Sequence, residues 1–101
     1  MGHFYHPSPP TTDLDELEAI LKRLNTKHFG DRFRVERLTE APVGLKAKWG
    51  FFCNEPGWDD CFMAPALRND GRMEIRMPPW GGDEVRKLHR AISATRKTGH
   101  V

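Results

Sequence analysis

Apolar and polar positions alternate most regularly over residues 43–53, Val-Gly-Leu-Lys-Ala-Lys-Trp-Gly-Phe-Phe-Cys. Val43, Leu45, Ala47, Trp49, Phe51 and Cys53 fall on one side; Gly44, Lys46, Lys48, Gly50 and Phe52 fall on the other. A period of two predicts a strand with one face in a core and one face toward solvent or a partner. Two shorter runs repeat the pattern. Phe33 and Val35 alternate with Arg32, Arg34 and Glu36, and Met73, Ile75 and Met77 alternate with Arg72, Glu74 and Arg76. Residues 61–68 predict a weaker strand. Pro65 has no N–H to give to a ladder, which places that strand at a sheet edge or at a bulge. Asn54–Asp60 and Asn69-Asp70-Gly71 are turn sequences between these strands.

Helical spacing occurs twice. Leu14, Leu17, Ile20, Leu21 and Leu24 make one apolar stripe, predicting a helix over 13–28. Thr12 or Asp13 can cap it, acidic residues crowd its start, basic residues crowd its end, and Gly30 supplies a stop. The acidic cluster therefore reads as helix-start electrostatics rather than as a metal or catalytic site. After the Pro78–Gly82 link, Asp83 is expected to cap a second helix over 84–96, with Val85, Leu88 and Ile92 inward and His89 on or near that stripe. The expectation is an α+β fold: a mainly antiparallel sheet of about four strands, with N- and C-terminal helices packed on one face. Residues 1–11, with three prolines in four positions, read as an extended arm, 12–97 as a single domain and 98–101 as a frayed tail.

The helix and strand order is similar to the α-β-β-β-α order of the double-stranded RNA-binding domain. Asp83 and Glu84 stand where that family carries lysines, and there is an additional strand, so the chain is not assigned to it.

Composition changes this picture little. The chain has 101 residues, 30% of them charged, and a formal net charge of +2. That is enough for one modest core, and the basic excess is too small to argue function without knowing where the charges sit. No apolar run reaches the roughly 18 residues of a membrane span, and no secretion signal is read, so a cytoplasmic location is expected. Cys53 and Cys61 flank a turn and could face each other across its neck. They read as reduced thiols rather than as a disulfide. No zinc ligand set is spaced for a metal, and no cofactor is expected.

The candidate chemistry lies on the polar face of the strands. Arg32, Arg34, Lys46, Lys48, Arg72 and Arg76 are expected there beside Phe52, offset by Glu36 and Glu74. Basic side chains next to an aromatic ring on an open sheet suit phosphates and stacked bases, and equally an acidic protein partner. The expected function is a non-catalytic binding protein for nucleic acid or a nucleic-acid-handling complex. The alternative is a small inhibitor or accessory protein of phage or mobile-element type, anti-defence or anti-CRISPR-like, that binds a host protein complex. For that reading Trp58, Trp80, Phe4 and Tyr5 are the contact candidates, with Trp58 also readable as a lid on the core. No nucleophile elbow, phosphate loop or zinc-protease motif occurs, so no catalytic residue is assigned. An open edge strand could join two chains, which leaves monomer and homodimer both open.

Overall fold

The structure, a computed structural model, describes residues 3–57, 61–77 and 82–98. Helix α1 spans Leu14–Phe29. Asp13 is its cap: the carboxylate accepts the Glu16 N–H at 2.9 Å. The helix stops where Gly30 turns left-handed at φ 57° and returns its N–H to the carbonyls of Asn25 and Thr26. Leu17, Ile20, Leu21 and Leu24 are buried, as the stripe requires.

Strands β2 (Phe33–Arg37), β3 (Leu45–Cys53), β4 (Cys61–Arg68) and β5 (Met73–Met77) follow, and helix α2 (Gly82–Thr98) closes the described chain. A short strand β1 (His3–Tyr5) precedes α1. The sheet is antiparallel in the order β1-β5-β4-β3-β2. Both helices cover the same face. Val85, Leu88, Ala91 and Ile92 of α2 and the α1 stripe share one apolar cluster with Phe33, Val35, Trp49, Phe51, Met63, Leu67, Met73 and Ile75. Each large side chain sealed there contributes about 1.5–3 kcal/mol relative to exposure.

The structure corrects the sequence reading at several points. Val43, expected inward, is fully exposed. The regular strand begins only at Leu45, after Gly44 at φ 96°. Pro65 lies in the middle strand of five, opposite Ile75. The β3–β4 ladder is irregular at two places: at Lys46, where Leu45 pairs with Arg68 but Ala47 with Leu67, and at the Cys61 end of β4, where Phe51 pairs with Met63 but Phe52 with Cys61. The extra residue, Phe62, lets two consecutive side chains, Phe62 and Met63, both enter the core. Helix α2 starts at Gly82, so Asp83 sits in its first turn and pairs with Arg86 instead of capping from outside. Residues 3–5 of the expected arm form the sheet edge against β5. Among the described residues no helix is long and apolar enough to cross a membrane.

Candidate functional site

The helices take one face of the sheet, and the strand registers order the side chains of the other, helix-free face (the open face) into rows, in which Gly50, Ala64, Ala66 and Glu74 are buried and Arg34, Glu36, Lys46, Arg72 and Arg76 are exposed. One row runs Lys48, Ala66, Glu74 across β3, β4 and β5. The next contains Glu36 opposite Gly50 and Ala64 opposite Arg76. A third runs Arg34, Phe52, Cys61. At the far end, Leu45 faces Arg68, and the Arg68 N–H bonds to the Arg72 carbonyl at 2.7 Å. Lys46, Arg68 and Arg72 therefore stand at one end of the sheet, one row beyond Lys48.

The expected basic residues divide into three groups. Arg32 precedes β2 and turns to the helical side. Its guanidinium pairs with Glu84 of α2 at 2.9 Å and lies over the rings of Phe33 and Phe62. Arg34 and Arg76 stay on the open face, each paired with the carboxylate two residues away on its own strand. Arg34 bonds Glu36 at 2.5 Å, and Arg76 bonds Glu74 at 3.0 Å. Lys46, Lys48 and Arg72 form the third group: none has a carboxylate partner among the described residues. Arg68, missed in the sequence reading, belongs to the same end and pairs with Asp70 at 3.1 Å. Its alternation with Ala64 and Ala66 was a usable signal, obscured by Pro65.

Phe52 is half-buried. The backbone at Gly50 explains its position: a Cβ built there would lie 2.6 Å from Phe52 Cε2 and 3.3 Å from Cys61 Cβ. The ring thus lies across ground that any other residue at position 50 would occupy. The Arg34 guanidinium sits 5.2 Å from the ring centroid, a cation–π geometry.

Other candidates fall elsewhere. Tyr5 packs against the core, its ring edge-on to His89 at 5.8 Å. Phe4 lies in β1 opposite Arg76. Trp58 and Trp80 lie outside the described residues. Cys53 faces the core and Cys61 the open face, so the two do not meet across the turn, and both are free. Burial pushes the Cys53 thiol up, away from the thiolate that a nucleophile requires. Among the described residues no cluster of His, Cys, Asp and Glu could hold a metal.

On the helical side the polar groups are joined across elements. Glu18 of α1 accepts from Trp49 Nε1 at 3.0 Å and from Arg37 Nε at 2.8 Å. The Trp49 bond, then Arg37, hold its carboxyl below the usual range against the opposing effect of burial. A cleft of about 170 Å³ beside α2 is lined by Phe29, Arg32, Asp83, Glu84 and Lys87. Its cations are engaged: Arg32 pairs with Glu84, and Lys87 donates to the His28 carbonyl at 3.2 Å.

Compared with models of protein families, with curated proteins and with solved structures, the chain matches none.

Proposed function

We propose that this is a non-catalytic binding protein whose open sheet face meets a polyanion, and that the polyanion is nucleic acid. The observation that carries the reading is the group Lys46, Lys48 and Arg72, free of carboxylate partners among the described residues and gathered at one end of the open face. Lys48 and Phe52 lie on the same side of β3, where alternate residues advance by about 6.7 Å, and Lys46 stands exposed at the irregularity between Leu45 and Ala47 in the ladder with β4. A single strand laid along β3 has its phosphates on the lysines and a base against Phe52, beside the Arg34 guanidinium. The small, buried residues at the centre of this face, Gly50, Ala64 and Ala66, offer nothing to insert into a duplex groove. This favours unpaired bases.

Fluorescence anisotropy with single- and double-stranded oligonucleotides across a salt series tests this. Three phosphate contacts give a log–log salt slope of about −2 for a single strand, and charge reversal at Lys46 and Lys48 together reduces it by about 1.4. Binding that is independent of salt, or unchanged by the double reversal, rules the reading out.

A second reading rests on the alternation of charge across the same face, Lys48 toward Glu74 and Glu36 toward Arg76. A mixed lattice of this kind suits a complementary protein surface, as an inhibitor or accessory protein docking on a host complex requires. Absence of oligonucleotide binding, with recovery of a discrete protein complex that survives nuclease and high salt, selects it.

A further inference from the structure

The ring of Phe52 does not stand over its own position in the sheet. Its Cε2 and Cζ atoms lie 2.6 and 2.9 Å from where a Cβ on Gly50 would be. The ring is therefore laid back along β3, over residue 50. Two residues of β2 flank it: Arg34 is registered opposite Phe52, and Glu36 opposite Gly50. A planar group stacked on this ring has both of them along its β2 edge. Their side chains are 54% and 49% exposed and share one hydrogen bond, from Arg34 Nε to Glu36 Oε2. Among the described residues no donor reaches Glu36 Oε1, and no acceptor takes the terminal Arg34 nitrogens. A carboxylate with one oxygen open and a guanidinium with its fork open thus stand side by side next to an aromatic platform.

We infer that Phe52, Glu36 and Arg34 form a subsite that selects guanine from the bases of a single strand. The inference rests on the nucleic-acid reading of the same face and adds a base preference to it. A carboxylate only accepts, and its two oxygens together match two parallel N–H donors. Guanine alone carries two adjacent donors on its Watson–Crick edge, N1–H and the N2 amine, with the O6 acceptor beside them. With guanine stacked on Phe52, Glu36 accepts from both donors, and a terminal nitrogen of Arg34 donates to O6. Oε2 serves Arg34 and the base together, since a carboxylate oxygen has two lone pairs. Adenine and cytosine each turn a ring-nitrogen acceptor toward the carboxylate, and thymine or uracil offers one donor between two acceptors. Each therefore leaves an oxygen of Glu36 facing another acceptor, which costs binding. Gly50 permits the arrangement: any side chain there would move Phe52 away from the register of Glu36.

Fluorescence anisotropy of the full chain with thymine oligonucleotides of about twelve residues tests it, each carrying one central replacement. At a single salt concentration, guanine tightens binding about tenfold over thymine, adenine or cytosine. 7-Deazaguanine, whose Watson–Crick edge is intact, keeps that gain, and hypoxanthine, which lacks the N2 amine, loses most of it. Glu36→Gln presents a donor where an acceptor is needed, and brings the ratio of guanine to thymine Kd values to within about twofold of unity. Glu36 is exposed, and circular dichroism checks that the variant folds. Salt-dependent binding with no preference among the four bases overturns the subsite and leaves the nucleic-acid reading standing. So does a preference that survives Glu36→Gln, or one as strong for hypoxanthine as for guanine. Binding to none of the oligonucleotides overturns both.

Discussion

Charged pairs occur on both sides of the sheet and are used differently. On the helical side, charged groups reach across the fold. Arg32 pairs with Glu84 from 52 residues away, Arg37 with Asp15 from 22, and Trp49 with Glu18 from 31. Each such bond holds two elements in place. On the open face the pairs are strand neighbours, Arg34 with Glu36 and Arg76 with Glu74. They join a strand to itself and hold no layers together. Arg34–Glu36 is exposed on both sides, and such pairs typically contribute under about 1 kcal/mol, so exchanging Glu36 for a ligand's phosphate costs little; Glu74, by contrast, is buried. Function is therefore sought where charges are paired locally or left without partners, and stability where they are paired over distance.

The sharpest test of that contrast is Trp49→Ala. It empties a fully buried site and removes the Glu18 donor, and an expected loss of about 3–5 kcal/mol is read by urea unfolding. Alanine at Lys48, on the reverse side of the same strand, stays within about 0.5 kcal/mol. A comparable loss from both would erase the distinction between the faces.

Glu18→Gln addresses the long-range network alone. The folded carboxyl titrates below its ordinary range, so its stabilisation is present above the unfolded value near 4.5 and is lost as pH falls through the folded one. The variant is less stable than wild type by about 1 kcal/mol at neutral pH, since charged hydrogen bonds at a partly solvated site are lost. The gap closes as pH drops below about 4.5. A gap that stays constant through acid unfolding would mean that the charge on Glu18 contributes nothing.

On the open face itself, the effect to separate is the one at Gly50. Gly50→Ala displaces the Phe52 ring at a cost of about 1 kcal/mol, because the ring edge can swing away. In a Phe52→Ala background the same change is close to neutral. This coupling, measured by a double-mutant cycle, shows whether Gly50 is there to seat Phe52.

Much of the fold was legible because local pattern and tertiary packing agree. The α1 stripe, the Asp13 cap and the Gly30 stop all behave as residue type dictates, and alternation in β3 and β5 set their inner faces. What was not legible depends on partners distant in the chain. His3–Tyr5 is too short to declare itself a strand, and only β5 makes it one. Pro65 suggested an edge or a bulge because a proline gives up a ladder bond; β4 is the centre of the sheet, and its bulge lies at Phe62. The candidate site was partly legible: alternation placed Arg34, Lys46, Lys48, Phe52, Arg72 and Arg76 on one face. It failed at Arg32, which stands just before the strand, beyond the reach of its period, where Glu84 draws it to the helices.

The pairing of β1 with β5 also has a consequence in time. Tyr5 meets Ile75, so β1, made before the other strands of this sheet, has no partner until some seventy residues later, roughly 4–14 s at ordinary elongation rates. The helix α1 and the β2–β3–β4 hairpins can assemble in that interval from nearer neighbours. The sheet is thus completed by its oldest segment, and until then that segment remains unpaired beside the growing chain.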